Sequence, residues 1–491
     1  MNDLRSSRML APLFLLLAAV ASPGPALAVS PPYRAQSINR DVHRFHDAYY
    51  VVQHNTYEHG ASLTDWLNAG LRSVELDVID VGDWELDANG PYVSHDDNVG
   101  DRNCSGNPDR LGHCLRDIMR WLDANPSSEP ILVFIDMKTS TNIVADWNAE
   151  EVYFLDQKVR DILGWRMYTG DELYRFATGY DYSPGAKSLR QAVSEQGWPL
   201  MRDLTGRIIV AYTGGVIGYA NQTQSDGIQH IMSQPGRRLP HGFFCPDVET
   251  DTYELVPGGT VDGMSWSSSQ QAVCGNLKAR DHYQITANTS ATHHQLIHLW
   301  GNHVYNNDQY VYNYIAVAHG ITAVGRDANA TSTFNGALPL VGVRRSLPGY
   351  FELRPSHAAY RCMDVSGSGT GNGTKIQLWD CNGSGAQHFV YTAEGQLRPR
   401  HVNTSCTDIS GGDAGSNTTV HLWGCDGGNS EKWVIDPNGF VRSYDNGQAY
   451  CLAVYNSGTS NGTKFVTSPC SYSSNKMFTL QPVPDWAQTQ F

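Results

Sequence analysis

Two acidic side chains share one face of a short apolar segment. In RSVELDVID, residues 72–80, Glu75 and Asp77 alternate with Val74, Leu76 and Val78. In a strand, this period of two points both carboxylates the same way. Two buried neighbouring carboxylates lose hydration and repel each other, at a cost of roughly several kcal/mol unless a positive charge lies between them. Hard divalent cations such as Ca²⁺ and Mg²⁺ bind carboxylate oxygens, so the pair predicts a metal site. The alternative is an outward-facing pair on an exposed strand.

A third acid and a lysine stand at the end of another apolar run. In ILVFIDMKT, residues 131–139, Asp136 and Lys138 are two residues apart, so in a strand they again point to the same face. An outward-facing pair at Glu75 and Asp77 does not explain this second occurrence. Three acids and a lysine at the same ends of neighbouring strands favour a metal-dependent active site.

Two histidines follow short strand-like runs. His54 ends AYYVVQH, residues 48–54, and His95 lies in PYVSHDD, residues 91–97. Two histidines near a divalent metal suit general acid–base or charge-stabilising catalysis on a phosphodiester. A single histidine is more often solvated or hydrogen-bonded in a loop, and this interpretation is applied to four others: His59, His113, His241 and His319. The role of four more stays open, although their spacing fits no strong zinc signature: His293, His294, His298 and His303.

The segments that carry these residues alternate between strand and helix patterns. LTDWLNAGL (63–71) and CLRDIMRWLDAN (114–125) have helical periodicity, and strand-like runs recur at 207–214, 294–300 and 320–326. Repeated βα units over about 280 residues predict a (β/α)₈ TIM-type barrel, in which catalytic side chains gather at the C-terminal strand ends. An open doubly wound sheet is the alternative. No GxGxxG follows the first strand, which weakens that alternative.

Length and composition fit a globular protein of two or three domains. The chain has 491 residues, of which 41% are hydrophobic and 17% charged. The formal net charge of −14 argues against nucleic acid as a partner and against general electrostatic attachment to an anionic membrane, and leaves room only for a local basic patch. The oligomeric state stays open.

The first 28 residues have the pattern of a secretory signal peptide. Arg5 and Arg8 precede the apolar MLAPLFLLLAAVA, and small residues at 26–28 end the segment. A membrane span is the alternative, but it needs about 20 apolar residues and the Ser-Pro-Gly-Pro stretch interrupts this run. No later segment is long and apolar enough to span a bilayer. We therefore expect a secreted, extracellular protein without a transmembrane anchor.

Ten cysteines agree with an oxidising compartment, where disulfides persist. Three pairs are each separated by 19 residues, and the remaining four cysteines form two pairs upstream. The predicted disulfides are Cys104–Cys114, Cys245–Cys274, Cys362–Cys381, Cys406–Cys425 and Cys451–Cys470. Zinc ligation is the competing interpretation, but the chain has no CxxC knuckle.

The C-terminal third is a threefold repeat. The copies are CMDVSGSGTGNGTKIQLWDC, CTDISGGDAGSNTTVHLWGC and CLAVYNSGTSNGTKFVTSPC. Short alternating strands with Gly, Asn and Ser turns predict an all-β unit. One copy is too small to bury its own core, so the three are expected to pack around a shared axis.

These repeats resemble the ricin-type lectins, which are β-trefoils with a Cys-x-Asp start, an IQLW-like strand and a QxW-like close. The resemblance covers roughly residues 346–483. It implies that a sugar lies against an aromatic ring while an aspartate and an amide bind its hydroxyls. The first repeat keeps Asp364, Gln377, Trp379 and Gln387. The second keeps Asp408 and Trp423 but has His421 and Glu431. The third has Ala453, Val466 and Ser468 and is expected not to bind sugar. The alternative is a spacer in which the tryptophans are core residues.

The order HNTY, RSVELDV, VSHDD, CLRDIMRWLDANP and FIDMK resembles the secreted, metal-dependent phosphatidylinositol-specific phospholipases C. SLRQAVSEQGWPLMRDLTGRIIV, residues 188–210, looks like that family's Leu-Arg…Gly-Trp-Pro segment. The resemblance spans most of residues 45–330. It implies internal attack by an inositol hydroxyl to give a cyclic phosphate, which water then opens.

The resemblance also implies a role for each site residue. The metal ligands would be Asn55, Glu75, Asp77 and Asp136, holding Ca²⁺, with Mg²⁺ as the alternative. Glu75 or a neighbour would help to remove the proton of the attacking hydroxyl. His54 would bond the developing phosphorane oxygen, and His95 would protonate the departing diacylglycerol oxygen. Lys138 would contribute positive charge to the phosphate.

Some residues depart from that pattern. Asp136 is shorter than the glutamate of many relatives, and FIDMKT together with Trp300 in IHLWGNH also resembles secreted sphingomyelinase D-like enzymes of the same barrel superfamily. A sphingomyelinase D-like or glycerophosphodiester phosphodiesterase activity is therefore an alternative, and an inactive glycan-binding protein is a second.

Together, these patterns predict five regions and two kinds of partner. The regions are a signal peptide (1–28), a phospholipase C-like phosphodiesterase barrel (29–335), a linker (336–348), a ricin-type lectin domain (349–483) and a tail (484–491). The expected partners are a phospholipid substrate at a membrane surface and glycans bound by the lectin domain.

Overall fold

The computed structural model describes residues 37–95, 99–100, 102–139, 147–236, 239–248, 254–278, 283–300, 316–317, 319–326, 339–344, 350–392, 394–435 and 439–483. The predicted signal peptide, the tail and His303 lie outside the described residues.

The first unit is the predicted (β/α)₈ barrel. Its parallel strands are β1 (Ala48–Gln53), β2 (Ser73–Ile79), β4 (Ile131–Lys138), β5 (Ile208–Gly214), β6 (Phe243–Phe244), β7 (Cys274–Lys278), β8 (Leu296–Trp300) and β9 (Ala323–Arg326). Two antiparallel strands, β3 (Tyr92–Val93) and β10 (Val341–Val343), are added to β2 and β1. The order around the barrel is β6-β5-β4-β2-β1-β9-β8-β7. A bridge between Asp247, after β6, and Asn276 of β7 joins the two ends, so the barrel is nearly closed.

Helices lie between the strands along the chain, and the two predicted at 63–71 and 114–125 are present with ends shifted by up to three residues. The helices are α1 (Leu63–Asn68), α2 (Leu111–Ala124), α3 (Ala149–Leu163), α4 (Gly170–Thr178), α5 (Leu189–Gln196), α6 (Ala220–Ser233), α7 (Trp266–Ser269) and α8 (Tyr283–Thr292). The Ser62 side chain caps α1 by accepting a hydrogen bond from the Asp65 amide. In α2, Leu115, Ile118 and Leu122 are fully buried against the barrel, as the helical period predicts.

The period-two pattern of β2 separates an apolar face from an acidic one. Val74, Leu76 and Val78 pack with α2 in the main core. Glu75 and Asp77 are 8% and 0% exposed. Because every residue of β2 is buried, the exposed-strand alternative for the acidic pair is wrong.

A buried histidine, His46, lies before the first strand of the barrel and packs against the partly exposed His294. The Nδ1 atom of His46 accepts a hydrogen bond from the Trp198 amide at 3.1 Å, and its ring centroid lies 4.4 Å from that of His294. Burial, followed by the charges of Arg344, His294 and Arg44, lowers the pKa of His46 from 6.5 to about 2. His46 is therefore neutral in the folded protein.

We expect the unfolding free energy to fall as the pH is lowered below 6.5, the ordinary pKa of this histidine. In the unfolded chain His46 takes up a proton that it cannot take up when folded, so each further pH unit costs about 1.4 kcal/mol. Denaturant titrations at about pH 6.5 and about pH 4.5 measure this loss. In the His46→Gln variant the unfolding free energy should fall less steeply with decreasing pH, because this histidine is absent. An equal dependence on pH in both proteins would contradict the claim that His46 stays neutral in the folded state.

The second unit is the predicted β-trefoil. Its strands are β11 (Phe351–Pro355), β12 (Arg361–Val365), β13 (Thr374–Asp380), β14 (Phe389–Tyr391), β15 (Leu397–Pro399), β16 (Ser405–Ile409), β17 (Val420–Gly424), β18 (Trp433–Ile435), β19 (Val441–Ser443), β20 (Tyr450–Val454), β21 (Phe465–Pro469) and β22 (Phe478–Pro482). They form three four-stranded antiparallel sheets. Leu378, Leu422 and Leu452 come from the three repeats and meet in one core.

All five predicted disulfides are present. Cys104–Cys114 and Cys245–Cys274 lie in the barrel, and Cys362–Cys381, Cys406–Cys425 and Cys451–Cys470 each close one repeat of the trefoil. The zinc interpretation of these cysteines is therefore wrong.

The chain between the two units is attached to the barrel. Strand β10, which falls within the predicted linker, pairs with β1. The next residue, Arg344, is buried and donates hydrogen bonds to the carbonyl oxygens of Gln295 and Gly320. His319 of the barrel contacts the trefoil, where its Nε2 atom lies 2.7 Å from the Thr392 carbonyl oxygen. Among the described residues, no helix is both long and apolar enough to cross a bilayer.

Candidate active site

A cavity of about 590 Å³ opens at the C-terminal ends of the barrel strands. Five residues singled out in the sequence line it together: His54, Glu75, His95, Asp136 and Lys138. The remaining wall includes Thr213, the loop 214–218, Asp247, Asn276, His298 and Trp300. The parallel barrel thus brings together side chains that are far apart in the sequence.

The three acids form a tight cluster. Asp77 of β2 stands directly beside Asp136 of β4 in the sheet, and carboxylate oxygens of Glu75, Asp77 and Asp136 lie within 4.8 Å of one another. The Lys138 ammonium lies 2.6 Å from Asp136 Oδ2 and 3.5 Å from Asp77 Oδ2. When all three acids are ionised they carry three negative charges. The Lys138 ammonium compensates one of them, and two remain uncompensated.

Burial and the neighbouring charges set the ionisation of this cluster. Burial raises the pKa of Asp77 well above its ordinary value; Lys138 opposes this, and Asp136 and Glu75 add to it. Burial also acts to raise the pKa of Asp136, but Lys138 and a hydrogen bond from Thr213 outweigh it, so that pKa is lowered. The pKa of Lys138 is raised, because attraction to the acids exceeds its desolvation. Lys138 is therefore a charged partner of the acids on the cavity wall.

Asn55 is held in a fixed orientation beside this cluster. It has φ +47°, a left-handed conformation that asparagine tolerates, and its amide N–H donates to Glu75 Oε2 at 3.4 Å. Its side-chain Nδ2 donates to Glu58 Oε2 at 3.3 Å. An ionised carboxylate only accepts hydrogen bonds, so the nitrogen of the Asn55 amide must face Glu58 and its oxygen must face the other way. The Oδ1 atom is buried and has no hydrogen-bond partner among the described residues.

The donor set fits a hard divalent cation. Asn55 Oδ1 and both carboxylate oxygens of Asp77 are buried without a hydrogen bond within the described structure, which costs free energy unless a cation or another donor compensates. The candidate ligands are all oxygens, the type that Ca²⁺ and Mg²⁺ bind. The two uncompensated charges match a divalent ion.

Sequence reasoning missed the residues that connect the two histidine loops. Glu58 Oε1, besides its contact with Asn55, lies 3.6 Å from Arg102 Nη1. Arg102 Nη2 donates to the Ser94 hydroxyl at 3.2 Å, next to His95. Glu58 and Arg102 carried no pattern that would have indicated this contact across the loops.

His95 is placed by β3. This strand pairs with β2 through Val93 and Val78, and the Ser94 amide donates to the Asp77 carbonyl oxygen at 3.0 Å. His95 is therefore exposed at the rim beside the strand that carries the acids, while His54 follows β1 in the same cavity.

The first trefoil repeat holds a buried aspartate beside an exposed ring. Gln377 and Gln387 donate to the two oxygens of Asp364 at 3.0 and 3.2 Å. Burial raises the pKa of Asp364 although both amides oppose it. Trp379 is 38% exposed, whereas the core residue Trp433 is 1% exposed.

The second repeat reproduces this arrangement with other residues. His421 Nε2 lies 3.1 Å from Asp408 Oδ1, the Ser430 hydroxyl donates to Asp408 Oδ2 at 2.8 Å, and Trp423 is 40% exposed. Glu431 accepts backbone hydrogen bonds from residues 426 and 427, much as Gln387 accepts from the Asn382 amide. The core-tryptophan alternative is therefore wrong for both repeats.

Fold and site together define a class: a barrel with a cluster of three acids that could hold a cation at the C-terminal ends of its strands, joined to a β-trefoil. Residues 81–216 match the sequence model of the family described as phosphoinositide phospholipase C, Ca²⁺-dependent, and residues 349–478 match the ricin-type beta-trefoil lectin domain. Both recognitions made from the motifs are confirmed. The first match includes His95, Asp136 and Lys138 and begins after Asp77.

One of the solved structures that match this chain shares the fold of the barrel. A calcium-dependent phosphoinositol-specific phospholipase C from the Gram-negative Pseudomonas sp is 21% identical, with a TM-score of 0.50, over 64% of this chain and 99% of that one. A Ca²⁺-dependent phosphatidylinositol-specific phospholipase C from Streptomyces antibioticus is 19% identical, with a TM-score of 0.48, over 62% of this chain and 99% of that one. The C-half of an earthworm R-type lectin is 16% identical over 28% of this chain and all of that one, with a TM-score of 0.24. No curated protein matches the chain.

Proposed function

We propose that the protein is a secreted phosphodiesterase that cleaves phosphatidylinositol through a cyclic inositol phosphate, and that the trefoil directs it to surfaces that carry glycans. The observation that carries the proposal is the acid cluster, which shares one cavity with His54 and His95. The match of residues 81–216 to the Ca²⁺-dependent phospholipase C family supports it.

Four residues would hold the cation: Asn55, Glu75, Asp77 and Asp136. When bound there, Ca²⁺ would lower the charge barrier at the phosphate. Lys138 neutralises part of the acid cluster and adds positive charge to the same wall. Glu58 and Arg102 hold the Asn55 amide so that its oxygen stays available.

Three side chains then act in the reaction, and one of them, Glu75, is also a cation ligand. Glu75 helps to remove the proton of an inositol hydroxyl, whose oxygen attacks phosphorus. His54 donates a hydrogen bond to the phosphorane oxygen as charge develops. The bond between phosphorus and the diacylglycerol oxygen breaks, and His95 protonates that oxygen. Water then attacks the cyclic phosphate and opens the ring to inositol phosphate.

Mass spectrometry of the products formed from phosphatidylinositol tests the reaction. Inositol cyclic phosphate with diacylglycerol is the expected result. Choline release from sphingomyelin, or cleavage of glycerophosphodiesters alone, would replace the proposal with one of the alternatives above. Sugar binding without any diester cleavage would identify an inactive glycan-binding protein.

We expect Asp364→Ala and Asp408→Ala each to remove one sugar site. Each substitution deletes the acceptor at the centre of a polar pocket beside an exposed tryptophan, and hydrogen bonds to charged groups are worth enough to weaken binding by about 10- to 100-fold at that site. A glycan array followed by titration calorimetry measures the loss. Tyr472→Ala, at an exposed aromatic residue of the third repeat, is the control. Unchanged binding in the double aspartate variant would rule out both pockets.

A further inference from the structure

The end of β5 contacts one acid of the cluster, Asp136, and has no role in the proposed reaction steps. Strands β4 and β5 pair in parallel, and Asp136 stands beside Thr213 in that pairing. Thr213 is 3% exposed, and its hydroxyl donates a hydrogen bond to the Asp136 carboxylate. The Lys138 ammonium lies 2.6 Å from Oδ2 of the same carboxylate. Asp136 is therefore held by two side chains, one on its own strand and one on the neighbouring strand.

Gly214 forms a wall against which this carboxylate lies. A Cβ atom at position 214 would overlap Asp136 Oδ1 and would lie 2.6 Å from the Met137 carbonyl oxygen. Gly214 also has φ +73°, a backbone conformation that residues with a side chain rarely adopt. Any side chain at this position would therefore displace the carboxylate, in addition to its cost in backbone strain. The close approach of the Gly214 backbone is part of what orients Asp136.

Helix α6 fixes the turn that contains Gly214. The side chain of Gln224 is fully buried, and its Nε2 atom donates to the Gly214 carbonyl oxygen at 2.9 Å. The Gly215 amide donates to the Met137 carbonyl oxygen at 2.9 Å, which holds the turn against the end of β4. Hydrogen bonds from both directions thus keep the Gly214 backbone beside the Asp136 carboxylate.

An aspartate at this position depends on such support. Its carboxylate can turn about two side-chain torsion angles, and the other ionised acids of the cluster, Glu75 and Asp77, repel it. Without the Thr213 hydroxyl and the glycine wall, it would turn away from these acids. Residues that hold a metal ligand in place change metal affinity by about 10- to 100-fold when they are replaced.

We infer that Thr213, Gly214 and Gln224 form a cradle that positions the Asp136 carboxylate, and that the affinity of the acid cluster for a divalent cation depends on this cradle. The three are positioning residues that act through Asp136. Thr213 bonds the carboxylate, Gly214 leaves room for it, and Gln224 holds the turn. The inference deepens the proposed function, on which it rests for the identity of the cation, Ca²⁺.

Two glycine variants of the full-length protein separate loss of space from backbone strain. Gly214→Ala places a Cβ atom on Asp136 Oδ1 and should weaken Ca²⁺ binding at least about tenfold in titration calorimetry. Gly185→Ala is the matched control, because Gly185 has φ +83° but a Cβ atom there meets no described atom within 4 Å. This control bears a similar backbone strain and should keep the wild-type Ca²⁺ affinity.

Two threonine variants test the hydrogen bond without changing the backbone. Thr213→Val keeps the branched shape and removes the hydroxyl, so Ca²⁺ binding should weaken at least about tenfold. Thr213→Ser keeps the hydroxyl and should retain most of the affinity. Gln224→Met should give a smaller loss, because Gln224 acts on the turn and not on the carboxylate itself. Thermal melts in EDTA report on each metal-free protein. A purely structural role would lower the melting temperature without separating Thr213→Val from Thr213→Ser in Ca²⁺ affinity.

Wild-type Ca²⁺ affinity in a folded Thr213→Val protein would overturn the inference, and so would equal losses in Gly214→Ala and Gly185→Ala. A wild type that binds no Ca²⁺ would overturn it as well. Release of inositol phosphate from phosphatidylinositol is measured separately, because it decides the proposed reaction. If the affinities change as expected but no lipid is hydrolysed, the proposed reaction fails and the cradle stands. If the wild type hydrolyses the lipid only with Ca²⁺ present and Thr213→Val binds Ca²⁺ as tightly, the cradle fails and the reaction stands.

Discussion

Removing divalent cations with a chelator is expected to lower the rate of phosphatidylinositol hydrolysis at least about 1000-fold, and added Ca²⁺ is expected to restore it. Glu75, Asp77 and Asp136 bring three carboxylates within 4.8 Å of one another, and Lys138 compensates only one of their charges. Without a cation, an anionic phosphate would approach a carboxylate cluster whose negative charge Lys138 offsets only in part, and the remaining charge repels it. The measurement is release of phosphorylated headgroup with and without EDTA, followed by titration with Ca²⁺ or Mg²⁺.

Direct calorimetric measurement of Ca²⁺ affinity separates metal binding from chemistry. Asp77→Asn should weaken Ca²⁺ binding at least tenfold, because it removes one ligand charge from a fully buried position. Lys138→Met should tighten it, because the ammonium and the cation compete for the same carboxylate oxygens. Glu151→Gln is the matched control, since it removes an acid from another cluster of three carboxylates on the barrel. An unchanged rate of phosphatidylinositol hydrolysis in EDTA would contradict the metal-dependent mechanism.

The barrel and trefoil could be predicted because their patterns are local. In β2 the alternation of Val74, Leu76 and Val78 with two acids fixed which face is apolar, and the structure places those faces accordingly. The 19-residue separations of the trefoil cysteines indicated both the repeats and their disulfides. A hydrophobic periodicity or a cysteine spacing lies within one segment, so it can be recognised without knowing which other segments that segment contacts in the fold.

One part of the cavity wall could not be predicted in the same way. Asp247, Asn276 and His298 come from three segments and meet only because the barrel closes between β6 and β7. One signal was present, since His298 and Trp300 share one parity at the end of β8, as Asp136 and Lys138 do at the end of β4. The same rule applied to LIHLW would have placed His298 on the cavity side.

Asn55 illustrates a different limit. The sequence assigned it to the metal through the family resemblance alone, because an asparagine after a strand has many other uses. The structure supplies a physical reason in the contact with Glu58, which leaves Oδ1 buried and without a hydrogen bond among the described residues. Such a reason depends on a side-chain orientation that no sequence pattern encodes.

Replacing His95 with alanine is expected to lower kcat on phosphatidylinositol by about 10²- to 10⁴-fold, the usual contribution of a general acid. His95 is exposed at the rim, so its loss should cost little stability and the variant should unfold at nearly the same temperature. The measurement is kcat at saturating substrate, with a thermal melt of each protein. His43→Ala is the control, because His43 precedes β1 at the opposite end of the barrel.

A second substrate distinguishes protonation of the leaving group from other roles of His95. An inositol phosphodiester with a nitrophenyl leaving group departs without needing a proton, because nitrophenol is far more acidic than the hydroxyl of diacylglycerol. On that substrate His95→Ala should lose less than about tenfold, whereas His54→Ala should stay strongly impaired on both, since the phosphorane oxygen that it contacts is common to both reactions. An equal loss on the two substrates in His95→Ala would exclude His95 as the general acid and leave it a role in binding or orientation.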